Sequence, residues 1–116
     1  MLNPSLPYEI LESNIERIRK SCEQYNLVIK STFTGSFTRV NHLAHPDNQV
    51  RLYWVDWFKK FIDLTVKLGG SSMGSHFGIF TAKDDNNKAV REKRRQQNID
   101  CWHYVADYAA KIGCKK

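Results

Sequence analysis

The sequence has few cysteines and no long hydrophobic run, and both features narrow the class of protein. No stretch approaches the roughly 18 apolar residues of a membrane span, and the N-terminal residues lack the basic-then-apolar order of a secretory signal. The three cysteines, Cys22, Cys101 and Cys114, are odd in number and lack metal-site spacing. We therefore expect a cytoplasmic protein with no membrane partner, disulfide framework or zinc site.

Sequence motifs for nucleotide phosphates are also missing. Residues 68–80 read Leu-Gly-Gly-Ser-Ser-Met-Gly-Ser-His-Phe-Gly-Ile-Phe, which matches neither the dinucleotide-binding fingerprint nor the P-loop. Small residues in a strand leave room for something to lie against the backbone. A strand with small side chains and a histidine near its end is expected to face a site as well as a core.

Acidic residues are outnumbered by basic ones. The 116 residues include 18 Lys and Arg against 12 Asp and Glu, which gives a net charge of +6. Such a surplus suits an anionic ligand, for example a sugar phosphate or RNA. The basic run from Arg91 to Arg95 is more typical of the solvated start of a helix, so nucleic acid is the less favoured partner.

Apolar periodicity predicts the order helix, strand, helix, strand, helix within a single domain. The strands are expected over residues 27–33 and within residues 68–80. Three apolar stripes define the helices: Leu11, Ile15, Ile18, Cys22 and Tyr25; Trp54, Trp57, Phe58, Phe61, Leu64, Thr65 and Leu68; and Ile99, Trp102, Val105, Ala106, Ala109 and Ile112. Because a full helix separates the two strands, they should pair in parallel.

Both predicted strand-to-helix connections are long and polar, whereas the helix-to-strand connections are tight. In α/β folds the ligand binds outside the carboxyl ends of the strands, which is where the long connections emerge. Two strands do not make a stable parallel sheet alone, and all three helices have apolar faces to bury. We therefore expect this α/β chain to be a piece of a larger protein.

Four side chains in these connections are candidates for contact with a ligand. Arg39 can hold a phosphate or carboxylate, and His42 and His45, three residues apart, can share one face of a turn. His76 follows the second strand. Imidazole serves proton transfer, metal ligation and hydrogen bonding to sugar hydroxyls. The alternatives are a loop or core histidine bonded to its surroundings and a solvated arginine.

Several motifs around these residues are shared with a known group of enzymes. The motifs are Ser31-Thr32-Phe33-Thr34-Gly35, Thr38-Arg39-Val40-Asn41-His42-Leu43-Ala44-His45-Pro46, Leu68-Gly69-Gly70, Gly74-Ser75-His76-Phe77-Gly78, and Arg94 through Asn98 ahead of Trp102. Through them the chain resembles the xylose isomerase-like TIM barrels that act as sugar-phosphate isomerases and epimerases, especially the erythrulose-phosphate epimerase branch. The resemblance extends from about residue 8 to residue 113.

The resemblance implies that residues 1–116 form part of a (β/α)8 TIM barrel, around its third and fourth strands. It implies an isomerase or epimerase of a ketose or tetrulose phosphate, with a divalent metal (Mn, Mg or Zn) and two glutamates supplied mainly by later strands. This chain alone is then expected to bind no cofactor and to be inactive. Its implied partners are the sugar phosphate and the rest of the barrel or a second copy.

For this segment the resemblance implies four substrate-binding residues, Arg39, His42, His45 and His76. It implies no catalytic or metal-binding residue here. Two other functions stay open. One is a small basic α/β binding module for RNA or an acidic partner, which predicts salt-sensitive binding by a cooperative, monomeric fold. The other is a fragment of an endonuclease-type metal phosphoesterase, in which loop histidines bind zinc.

Overall fold

Two short parallel strands and three long helices form the frame of the structure, a computed structural model that describes residues 2–114. Its elements are α1 (Tyr8–Gln24), β1 (Ser31–Phe33), α2 (Asn48–Lys67), β2 (Ser72–Gly74), the short α3 (Ala82–Asp85) and α4 (Lys88–Lys111), with 3-10 turns at Gly35–Thr38 and His42–Ala44. In the sheet, Ser31 pairs with Ser72 and Phe33 with Gly74. The predicted α/β class and the parallel pairing are confirmed.

The helices α2 and α4 begin and end where the sequence supplies capping groups. The Asp47 side chain accepts a hydrogen bond from the Gln49 N–H at the start of α2, and Asn87 caps α4 in the same way. Gly69 and Gly113 follow the two helices with φ angles of +86° and +81°. This left-handed conformation favours glycine and ends a helix, so both predicted stops are confirmed.

The hydrophobic core lies between α2, α4 and the 3-10 turn His42–Ala44. Phe58 is fully buried, and its ring centroid lies 4.8 Å from that of Trp102 on α4. Further along α2, the rings of Trp57 and Phe61 stack at 5.5 Å. The predicted aromatic stripe of α2 is therefore core packing.

Both strands are shorter than the sequence predicted. Residues 27–30 lie outside β1, and the side chains of Leu27 and Val28 are 63% and 80% exposed. The backbone contact extends back only to the bond from the Ser71 N–H to the Lys30 carbonyl, because the chain before Ser71 is still turning out of α2. An apolar run without a neighbouring strand has no ladder to join.

Two segments predicted as polar loops contain helical structure. Residues 34–50 hold both 3-10 turns and the first residues of α2, and residues 83–88 hold most of α3. Thr34 and Thr38 in the first segment are buried. Short turns do not repeat an apolar position often enough to give a periodic signal, so the pattern of the sequence does not show them.

The chain is more extended than a closed domain of its length. Its radius of gyration is 15.8 Å and its extents are 53 × 25 × 20 Å, whereas a compact domain of about this length would have a radius near 13 Å. On α1, Ile15 alone is buried. Within residues 2–114, no helix is long and apolar enough to cross a membrane. The open shape is that of a segment of a barrel wall.

Replacing Phe58 with alanine should lower the free energy of unfolding by about 3–5 kcal/mol, because a fully buried aromatic ring leaves both lost contacts and a cavity. Leu52→Ala on the same helix, at an exposed position, should change it by less than about 0.5 kcal/mol. Urea unfolding followed by far-UV circular dichroism measures both. Equal effects of the two substitutions would contradict this description of the core.

Candidate functional site

Hydroxyl and imidazole side chains meet at the carboxyl ends of β1 and β2. Thr34 Oγ1 lies 2.6 Å from Thr38 Oγ1 and 2.9 Å from Ser75 Oγ. Thr38 Oγ1 in turn lies 3.0 Å from His76 Nδ1. We call these four residues the hydroxyl–imidazole cluster. It occupies the edge of the sheet at which α/β folds place their ligands.

The parallel register of β1 and β2 brings the residues of this cluster together. Thr34 and Ser75 each come directly after a strand, and the Thr34 N–H continues the ladder by donating to the Gly74 carbonyl at 3.1 Å. A Cβ at Gly74 would lie 3.0 Å from Phe33 Cδ2, so the missing side chain lets the Phe33 ring cover the strand. The room predicted beside the small residues is thus partly filled by Phe33, which meets His76 edge-on at 5.3 Å.

An open cavity of about 240 Å³ borders the cluster on the side of α4. It is lined by Met73, Gly74, Ser75, Phe77 and Trp102. The lining is mostly apolar, with the Ser75 hydroxyl as a polar group. The Gly/Ser-rich segment therefore borders a space at the carboxyl end of its strand, as the sequence predicted.

His42 lies behind the cluster and is fully buried. Its ring sits 5.2 Å from Phe58 and 6.1 Å from Trp102, and its Nδ1 accepts a hydrogen bond from the Leu43 N–H at 2.7 Å. Burial lowers the pKa of His42 from 6.5 to about 4, although the backbone carbonyl of His76 opposes the shift. His42 is therefore neutral at pH 7, and its Nε2 has no hydrogen-bond partner among residues 2–114.

His45 and Arg39 make no hydrogen bond to the cluster among the described residues, although Arg39 directly follows Thr38. His45 Nδ1 accepts from the Asp47 N–H at 2.9 Å, and the His45 carbonyl accepts from Arg51 Nη1 at 2.6 Å. Arg39 is exposed at the end of the first 3-10 turn. The spacing of His42 and His45 does not give them a shared contact, and each ring bonds to nearby backbone. Substrate binding stays a prediction for Arg39, His42, His45 and His76, and fully buried His42 has the least access to a ligand.

Two residues of α4 that sequence reasoning did not assign to the site hold its loop in place. Asn98 Nδ2 and Trp102 Nε1 both donate to the Phe77 carbonyl, at 3.1 and 2.7 Å. The signal in the sequence was their spacing of four, which puts an amide and an indole N–H on one helix face. Thr34 and Thr38 lie within the shared motifs, but the sequence does not single them out, because threonine beside a strand is typical of a sheet.

Two arginines of the basic run at the start of α4 are paired with carboxylates. Arg94 Nε lies 3.1 Å from Asp84 Oδ2 in a mostly buried pair, and Arg91 Nη1 lies 3.7 Å from Asp85 Oδ1 in a partly exposed one. The Arg94 guanidinium, held in this way, is poorly placed for phosphates of a nucleic acid. This geometry gives no support to the RNA-binding alternative.

The depressed pKa of His42 predicts a specific loss of stability in acid. The unfolded state binds a proton near pH 6.5, whereas the folded state resists it down to about pH 4. Lowering the pH through this interval should therefore reduce the free energy of unfolding by up to about 3 kcal/mol.

The measurement is urea unfolding between pH 7 and pH 4, compared with His42→Gln, whose slope against pH should be smaller. The NMR titration of the His42 ring protons gives the pKa directly. A His42 midpoint near the ordinary histidine value would contradict the prediction.

Comparisons with a family model, with a related protein and with solved structures all identify the same family. Residues 2–115 match the family model described as xylose isomerase-like TIM barrel. The chain is 40% identical over 112 residues to D-erythrulose 1-phosphate 3-epimerase of Brucella abortus, covering 97% of this chain and 36% of that protein.

Solved structures show the same fold. A Rhodospirillum rubrum protein provisionally assigned as a xylose isomerase superposes with a TM-score of 0.82 at 28% identity, over 97% of this chain and 38% of that one. A D-tagatose 3-epimerase-like protein superposes with a TM-score of 0.73 at 18% identity, over 89% and 36%. The chain thus spans little more than a third of these relatives, and it belongs to the xylose isomerase-like TIM barrel family.

Proposed function

We propose that this chain is the part of a sugar-phosphate epimerase barrel, around its third and fourth strands, that forms one wall of the substrate pocket. The observation that carries the proposal is the hydroxyl–imidazole cluster at the carboxyl ends of adjacent parallel strands. In barrels of this kind the substrate lies at that face. The 40% identity to a D-erythrulose 1-phosphate 3-epimerase supports a tetrulose phosphate as the substrate.

The chemistry of the wall suits recognition of a sugar. Ser75 and His76, which are partly exposed, carry a hydroxyl and an imidazole, hydrogen-bonding groups that match sugar hydroxyls. The exposed guanidinium of Arg39 follows the first 3-10 turn and supplies positive charge for a phosphate. In this proposal His76 and Arg39 contact the substrate, while His42 and His45 support the connecting loop through their backbone contacts.

Enzymes of this family generally use a divalent metal ion, and residues 2–114 do not fit one. No group of three or more His, Cys, Asp or Glu side chains converges within these residues. The Nδ1 atoms of His42 and His45 already accept backbone hydrogen bonds. We therefore assign the metal and the proton-transferring carboxylates to other strands of a whole barrel, and this segment to binding.

The exposed apolar residues identify where other parts of a barrel would pack. Leu27 and Val28 precede β1 and are mostly exposed, and within residues 2–114 each strand is paired on one edge only. Parallel strands are stable when both faces are covered. In this proposal further strands and helices of the barrel cover these surfaces, with a second copy of the chain as the alternative occupant.

Because phosphorylated sugars are charged and do not cross membranes unaided, we place the activity in the cytoplasm.

A chimaera tests the substrate and the role of His76. This chain should replace the matching segment of the Brucella abortus epimerase and give a protein that epimerises D-erythrulose 1-phosphate. His76→Asn in that chimaera should lower kcat/KM by roughly fivefold to a hundredfold, because a sugar hydroxyl left without its partner costs about 1–3 kcal/mol.

His103→Asn is the matched control, since His103 is exposed on α4, and it should leave kcat/KM unchanged. A folded chimaera that does not turn over the substrate would refute the proposed function. Unchanged kinetics in the His76 variant would refute the role given to that residue.

The chain by itself should not epimerise D-erythrulose 1-phosphate. Moving a proton beside a carbonyl needs an acid–base pair, and the described residues place hydroxyl and imidazole groups, without carboxylates, in the cluster. Incubation of the purified 116-residue chain with the substrate, followed by NMR of the sugar, measures this. The Brucella abortus enzyme is the positive control, and product formation by the chain alone would contradict the prediction.

A further inference from the structure

The hydroxyl–imidazole cluster is a closed ring of hydrogen bonds that begins and ends on His76. From His76 Nδ1 it passes to Thr38 at 3.0 Å, to Thr34 at 2.6 Å and to Ser75 at 2.9 Å. Ser75 Oγ then lies 3.1 Å from the His76 carbonyl oxygen. Each of the three hydroxyls has a single proton, so the ring can run in only one direction at a time.

The carbonyl at the end of the ring fixes that direction. A carbonyl oxygen only accepts, so Ser75 must donate to His76, and Thr34 must then donate to Ser75. The proton between the two threonines therefore comes from Thr38. Thr38 Oγ1 also lies 3.3 Å from the Gly35 carbonyl, a longer contact to a second acceptor that competes for the same proton. No proton of Thr38 is left for the imidazole.

We infer that Thr38, Thr34 and Ser75 are positioning residues that hold neutral His76 with its proton on Nδ1, so that Nε2 is left as a hydrogen-bond acceptor for a ligand. Among the described residues Nε2 makes no hydrogen bond, and it is not one of the buried polar atoms that lack a partner. A ring nitrogen of this kind accepts from a hydroxyl of a sugar and repels the oxygen of a phosphate. The identity of the ligand rests on the proposed function, whereas the position of the proton does not.

Two other histidines provide internal references of the opposite kind. His42 Nδ1 accepts from the Leu43 N–H at 2.7 Å, and His45 Nδ1 accepts from the Asp47 N–H at 2.9 Å. Each must therefore carry its proton on Nε2 when neutral. His76 differs because its Nδ1 faces a hydroxyl whose own proton is already given away.

Long-range ¹H–¹⁵N NMR of the full chain labelled with ¹⁵N-histidine reads the protonated nitrogen of each ring. At about pH 8, above the ordinary histidine pKa, His76 should show a protonated Nδ1 and a bare Nε2, and His42 and His45 the reverse. Thr38→Val removes the acceptor and should move the His76 proton to Nε2. Thr38→Ser keeps a hydroxyl at this position and should retain the wild-type pattern.

Ser75→Ala removes the hydroxyl that donates to the His76 carbonyl. It should give a mixture of the two His76 forms, and it provides the test if Thr38→Val does not fold. A wild-type His76 protonated on Nε2 would overturn the inference. So would a folded Thr38→Val variant, with His42 signals intact, in which His76 keeps its proton on Nδ1. An inactive chimaera with the His76 pattern intact would refute the proposed function and leave the ring standing.

Discussion

The indole of Trp102 joins the hydrophobic core to the loop that carries His76. Its ring packs 4.8 Å from Phe58 and stacks on Phe77 at 6.1 Å, while its Nε1 donates to the Phe77 carbonyl at 2.7 Å. Trp102 is only 7% exposed, so water competes poorly for this bond. His76 is adjacent to Phe77, and its position is therefore set by the register of α4 against α2.

The same loop lies over polar atoms that the core leaves unsatisfied. Within residues 2–114, His42 Nε2 and Asn98 Oδ1 are buried without hydrogen-bond partners. Each such atom costs about 1–3 kcal/mol, and both border the loop: the His76 carbonyl acts on the His42 ring, and the Asn98 amide holds the Phe77 carbonyl. Aromatic packing around Phe58 and Trp102 offsets this cost.

The helices could be predicted because the residues that determine them are close together in the sequence. The strands and much of the site depend on contacts between residues that are distant in the sequence. The stripe through Phe58 and the stop at Gly69 are readable in the residues themselves. The length of β1 is not, because it depends on where β2 offers a partner. The place of His76 after the second strand could be predicted from the sequence, and its role in binding stays a prediction. The burial of His42 was not, since the rings that enclose it come from α2 and α4.

Two carboxylates of the described residues, Asp84 and Asp63, make contacts between helices, and neither belongs to the cluster at the strand ends. Asp84 pairs with Arg94 in a mostly buried contact, and Asp63 accepts a hydrogen bond from Tyr108 that contributes to raising the tyrosine pKa to about 12. These acids stabilise helix contacts, and the cluster at the strand ends is built from hydroxyl groups and an imidazole. Neutral hydroxyls cost far less to hold in a half-buried edge than an unpaired carboxylate does. In the proposed function, such an edge recognises the uncharged part of a sugar and leaves proton transfer to strands that hold charge.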